Sequence, residues 1–74
     1  MIIIRREIGS RIKARREGLG MSRRELALNV GTTVTCIGFW ERGEHSPNAD
    51  SLCRACLHLR VSADYILGLD KENT

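Results

Sequence analysis

Apolar residues recur along this chain every three or four positions, in blocks separated by glycine or by short polar turns. That is the period of a helix with one buried stripe. Ile4, Ile8 and Ile12 mark a first helix over about residues 4–17, with charges on its other faces. Gly18 and Gly20 end it, and Leu19 and Met21 can tuck into a core from the turn. Ser22-Arg23-Arg24-Glu25 reads as a capping box, in which each side chain can answer the other's backbone amide. The second helix then runs to about Asn29, burying Leu26, Ala27 and Val30, and Gly31 stops it. Thr33 is placed to cap a third helix that ends near Glu41 or Arg42, with Gly43 after it. A loop, GEHSPN, leads to Asn48, the cap of a fourth helix with Asp50 in its first turn and Leu52, Ala55, Cys56 and Leu59 facing inward. Ser62 caps a short last helix carrying Asp64, Tyr65, Ile66, Leu67 and Leu69. The predicted fold is all-α: five helices in a single domain over residues 1–74, with its core in about 4–69 and a frayed tail at 70–74.

Size and composition narrow the picture. Seventy-four residues with one Trp, one Tyr and one Phe must build a mostly aliphatic core around Trp40, near the lower size limit for a single core. No run of about 18 apolar residues exists to span a membrane, and Met1–Ile4 is too short for a signal-peptide core. The expected location is therefore cytoplasmic, in association with a bacterial nucleoid if the partner is DNA. The net charge is +3, and its distribution is uneven. Arg5, Arg6, Arg11, Lys13, Arg15, Arg16, Arg23 and Arg24 precede residue 25, opposed there only by Glu7 and Glu17. A basic front half suggests a polyanion, with nucleic acid foremost, against the plainer reading of a solvated helix face.

Cys36, Cys53 and Cys56 make an odd count without a secretion signal, which argues against a disulfide framework. Cys53-x-x-Cys56, with His45 or His58, raises a zinc or redox reading. Both cysteines, however, fall at i and i+3 of a helical pattern, where small buried hydrophobes are expected. No phosphate loop, paired carboxylates or HExxH motif is present, so the reading is of a protein without enzymatic activity, cofactor or metal.

The stretch Arg23–Arg42 carries more information. Two helices joined through NVGTT have too tight a turn to lie antiparallel and must cross steeply. Small Ala27 permits close approach, and Ile37 and Trp40 pack back on Leu26 and Val30. This is a helix-turn-helix, whose second helix is free to enter a major groove about 12 Å wide. At about 100° per residue, Val34, Thr35, Gly38 and Phe39 turn to the side opposite Ile37 and Trp40.

Arg23–Arg42, with Leu26, Ala27 and Gly31 inside LALNVGTT, then Ile37 and the Glu41-Arg42-Gly43 triplet, resembles the helix-turn-helix of the xenobiotic-response-element family. That family includes the lambdoid phage repressors and Cro proteins. SPNADSLCRACLHLRVSADYILGLD is similar to the family's two closing helices, so the likeness runs over about residues 8–70. It implies a lambda-repressor-like fold with the helix-turn-helix at the second and third helices. It also implies base readout at Val34, Thr35, Gly38 and Phe39. Here those positions are mostly apolar, so readout would rest on thymine methyls, close backbone approach at Gly38 and DNA shape. Phosphate contacts are implied for Arg16, Arg23, Arg24, Thr33, Cys36, Arg42, Gly43 and His45, with Cys36 a poor donor where serine is common and Glu44 opposing its neighbours. Arg16 and Glu41 would form a partly buried salt bridge joining the first helix to the third, or else a solvated pair of little consequence.

The function implied is a sequence-specific DNA-binding transcriptional regulator of bacterial or prophage origin. Most simply it is a repressor, acting as a homodimer on a palindromic operator with half-sites about 34 Å apart. The surplus of apolar residues near the C-terminus places the dimer patch at Leu59, Val61, Tyr65, Ile66 and Leu69. No ligand or cleavage domain is legible, which leaves concentration or a protein partner as the means of control. Two other readings stay open: the DNA-binding antitoxin of a toxin–antitoxin pair, and a protein-interaction module that has lost DNA binding.

Overall fold

The computed structural model describes residues 4–69, and the tail expected at 70–74 lies outside them. Five helices follow in order: α1 (Ile4–Gly18), α2 (Arg23–Val30), α3 (Val34–Arg42), α4 (Ala49–Leu59) and α5 (Ala63–Leu67). No strand occurs among the described residues.

Local chemistry sets most of the boundaries. The Ser22 hydroxyl accepts from the Glu25 amide at 3.0 Å, and the Glu25 carboxylate accepts from the Ser22 amide at 2.8 Å, closing the capping box of α2. Thr33, Asn48 and Ser62 cap α3, α4 and α5 in the same way, accepting from Cys36, Ser51 and Tyr65. Each such cap contributes about 1 kcal/mol. At the other end of α2, Gly31 sits at φ +85°, and the amides of Gly31 and Thr32 both donate to the Ala27 carbonyl. A side chain on residue 31 would strain this left-handed turn. The reversal is so tight that α3 begins three residues later.

Every helix supplies the core. Ile8 and Ile12, Leu26, Ala27 and Val30, Ile37 and Trp40, Ala55, Cys56 and Leu59, and Ile66 are all buried, with Met21, Leu52, Val61 and Leu67 packed against them. The helical stripe of α1 is shorter than its period suggested. Ile4 is 49% exposed because the start of α1 overhangs the small core, and Leu19, in the turn after α1, is 38% exposed and does not tuck in as expected, whereas Met21 does.

α1 lies directly on α3, and Gly9 is the reason. A Cβ there would fall 1.8 Å from the Trp40 carbonyl oxygen, so only glycine admits this approach. The arginines of α1 then fasten the remaining helices. Arg15 donates to the Leu59 carbonyl at 2.8 Å and Arg11 to the Ile66 carbonyl at 3.3 Å. These carbonyls belong to the last turns of α4 and α5, where intrahelical partners run out and cationic donors are favoured. Much of the basic front half is therefore structural.

Candidate nucleic-acid interface

Ile37 and Trp40 hold one side of α3 in the core, at 0% and 3% exposure. The helical period then forces the residues between them outward. Val34 is 47% exposed, Thr35 is exposed and Phe39 half-buried. Val34 and Thr35 thus face solvent on this side of α3. Gly38, expected to leave bare backbone, is instead buried: its notional Cβ lies 2.9 Å from Nη1 of Arg42, whose side chain folds back across it. Close backbone approach at Gly38 thus requires Arg42 to move.

Behind this face, Glu41 organises three helices. Its carboxylate accepts from Arg16 Nε at 2.7 Å, from Arg16 Nη2 at 3.1 Å and from Arg23 Nε at 3.0 Å. The Glu41 side chain is 1% exposed and that of Arg16 9%. Burial acts to raise the Glu41 pKa, but the hydrogen bonds and charges of Arg16 and Arg23 outweigh it and hold the carboxyl below its ordinary range. The hydrogen bond to Glu41 in turn raises the Arg16 pKa. Arg16 also donates to the Met21 carbonyl at 2.8 Å. Its role as a phosphate contact is therefore corrected: the guanidinium is buried and fully engaged, and it fixes α1 against α3. The link from Arg23 was not anticipated. It ties the start of α2 to the same carboxylate, while the Arg23 side chain stays 44% exposed.

The remaining positions divide in two. Arg24 is exposed beside Arg23 at the start of α2, and exposed Thr33 keeps its hydroxyl hydrogen while its oxygen accepts from Cys36. Arg42 and His45 are exposed as well. Cys36, by contrast, is half-buried and packs on the core, and its amide is already bonded to Thr33. The backbone at Gly43 is also corrected as a phosphate donor. The amides of Gly43, Glu44 and His45 turn inward to the carbonyls of Trp40 and Phe39, closing the C-terminus of α3. Arg5, near the start of α1, donates to the Glu44 carbonyl at 3.1 Å and braces this turn.

The expected dimer patch needs a similar correction. Leu59 and Ile66 are 0% exposed, consumed by the core that five short helices can barely fill, and so offer nothing to a partner. Tyr65 is 41% and Leu69 65% exposed, and Val61 is half-buried. A shallow apolar groove beside Val61 is lined by Leu52, Cys53, Cys56 and Leu57, with Leu57 70% exposed. It was missed because Leu57 falls outside the inward stripe of α4. Burial, and secondarily Cys53, pushes the Cys56 thiol up, away from thiolate reactivity. Among the described residues no three His, Cys, Asp or Glu side chains converge as metal ligands, and no helix is long and apolar enough to cross a membrane.

Comparison with known proteins agrees with this geometry. Residues 12–66 match the helix-turn-helix family model. The chain is 37% identical over 67 residues to the repressor protein C2 of Salmonella phage P22, covering 90% of this chain and 31% of that protein. It thus spans about a third of the length of this curated relative. The crystal structure of the P22 c2 repressor in complex with a synthetic operator superposes with a TM-score of 0.81 at 38% identity, over 85% of this chain and 96% of that one. The apo competence regulator ComR of Streptococcus vestibularis gives a TM-score of 0.82 at 36% identity, over 92% of this chain and 23% of that one. With a tight α2–α3 turn, a core-anchored α3 and a family match over most of its length, the chain belongs to the helix-turn-helix family.

Proposed function

We propose that this chain is a sequence-specific DNA-binding module that represses transcription by occupying a promoter. One observation carries the reading: α3 is anchored through Ile37 and Trp40, while Val34 and Thr35 stand open on its far side. A helix so held fits a major groove as a rigid body, with little to reorganise on binding. Val34 and the Thr35 methyl suit thymine methyl groups. Arg23, Arg24 and Thr33, at the starts of α2 and α3, suit phosphates, where helix N-termini already favour anions. Likeness to a phage repressor seen on its operator supports the same docking.

The chain works as a homodimer on a palindromic operator. Its partner surface is exposed Tyr65 and Leu69 with half-buried Val61, extended to Leu57 and the groove beside α4. Burying Leu57 and Leu69 would remove the two most exposed aliphatic side chains of this end of the molecule.

Selection from a random duplex pool, followed by salt titration of the winning site, tests this. The expected outcome is an enriched sequence with two related half-sites. Affinity for it should fall by roughly 10³ or more between 50 and 200 mM salt if about six phosphates are contacted. A flat selection would refute base readout, and salt-insensitive binding would refute the phosphate contacts.

A further inference from the structure

The outer face of α3 is nearly devoid of side chains that can hydrogen-bond a base edge, since Val34, Gly38 and Phe39 have none to offer. The structure supplies one from an unexpected place. Arg42, at the end of α3, is one turn beyond Gly38 and shares its face. Long side chains on a helix lie over the turn N-terminal to their own Cα. With no side chain at residue 38, the Arg42 guanidinium occupies that notch, its Nη1 2.9 Å and its Nη2 and Cζ 3.7 Å from where a Cβ would be. Two neighbours hold it there. Glu44 accepts from Nε at 3.0 Å, and the Phe39 ring lies 5.4 Å from Cζ. Phe39 is itself met edge-on by the His45 ring, with centroids 5.1 Å apart.

We propose that Arg42 reads a guanine from the middle of α3, using Gly38 as its seat, Phe39 as its platform and Glu44 as its buttress. This deepens, and rests on, the DNA-binding reading above. Among the described residues no acceptor meets Nη1 or Nη2, and the Arg42 side chain is 53% exposed. A guanidinium fixed through Nε presents its two Nη groups as a planar fork, and that fork matches the O6 and N7 acceptors of guanine. A phosphate can also take the fork but accepts it from many directions, whereas the notch, the ring and the carboxylate fix one direction, which is what a base edge requires. Glu44, which sits badly beside phosphates, finds its purpose here as the group that aims Arg42.

Parallel selections from a random duplex pool with the wild type, Arg42→Lys, Gly38→Ala and Glu44→Gln test the proposal. The wild type is expected to enrich a site with one fixed guanine per half-site. Arg42→Lys keeps the charge but loses the fork, so discrimination at that guanine should fall about tenfold or more while the rest of the site and the salt dependence persist. Gly38→Ala fills the seat and should relax the same base pair, with circular dichroism showing an intact helical fold. Glu44→Gln should relax it less. If Arg42→Lys weakens all sequences alike and leaves the guanine preference intact, Arg42 is a phosphate contact and the proposal fails. A site enriched without a guanine sensitive to Arg42 also overturns it, leaving DNA recognition standing. No enriched site with the wild type overturns both.

Discussion

Glu41 is the most consequential polar side chain of the molecule, because two arginines from different helices converge on one buried carboxylate. Glu41→Gln removes the buried negative charge and leaves Arg16 facing only the exposed Glu17 carboxylate, 3.7 Å away, a loss of about 3 kcal/mol at neutral pH by chemical denaturation. The pH dependence follows from the direction of the Glu41 shift. Its folded-state pKa lies below the ordinary 4.5, so the unfolded chain takes up the proton first as pH falls. The stability Glu41 confers is whole above that value and is lost as pH drops through the folded one. The gap between wild type and Glu41→Gln should therefore close in acid, and a gap constant from pH 7 to pH 3 would contradict a lowered pKa. Pairing of Arg16 with Glu41 was legible from their likeness to the family motif; the share taken by Arg23 was not, because nothing in its spacing from Glu41 marks it. Gly9 was equally silent. A glycine inside a helical pattern reads as a mild weakness, yet here it is a contact surface for the Trp40 carbonyl. Gly9→Ala should destabilise by about 3 kcal/mol through overpacking, despite alanine's better helix propensity. Unchanged thermal unfolding would show that α1 can retreat from α3 without loss.

The helices themselves were well marked in the chain. Ser22, Thr33, Asn48 and Ser62 all stand at N-caps, since a short polar side chain before an apolar-periodic run has one favourable use. The C-terminus of α4 is the exception to easy reading. Arg60 ends it at φ +59° in the left-handed region, where glycine closes α2, α3 and α5. Arg60→Gly should relieve that strain and raise stability by about 0.5–1 kcal/mol, after allowance for glycine's greater freedom in the unfolded chain. The melting temperature reads this directly, and a fall would mean that the Arg60 side chain makes a stabilising contact of greater weight. Arg15, by donating to the Leu59 carbonyl, already answers part of the same helix end. The charge asymmetry along the sequence could not distinguish such anchoring arginines from those free to meet an anion.

Considered as one body, the molecule carries the proposed DNA face on α3 and the proposed partner surface around α4 and α5. The proposed dimer surface was the least legible feature. Leu59, Val61, Tyr65, Ile66 and Leu69 lie close together in sequence, but only packing decides which of them the core consumes. Leu59 and Ile66 are consumed; Leu57, one turn from Val61, is not. Leu57→Arg should leave folding and binding to an isolated half-site unchanged, while lowering affinity for a two-half-site operator about tenfold, which is 1.4 kcal/mol of lost cooperativity. Equal affinities for the two-half-site operator would remove Leu57 from the interface and confine contact to Tyr65 and Leu69.

Sequence alone was enough for the number of helices, their caps, the α2–α3 turn and the face that α3 turns outward, because each depends on local backbone chemistry and a periodicity of 3.6 residues. Tertiary structure decided how that periodicity was used. Burial took Arg16, Leu59 and Ile66 out of service as contacts, three helices met at Glu41, and the bare backbone at Gly38 became the seat of Arg42. Such outcomes depend on distances between residues far apart in the chain, which no local pattern encodes.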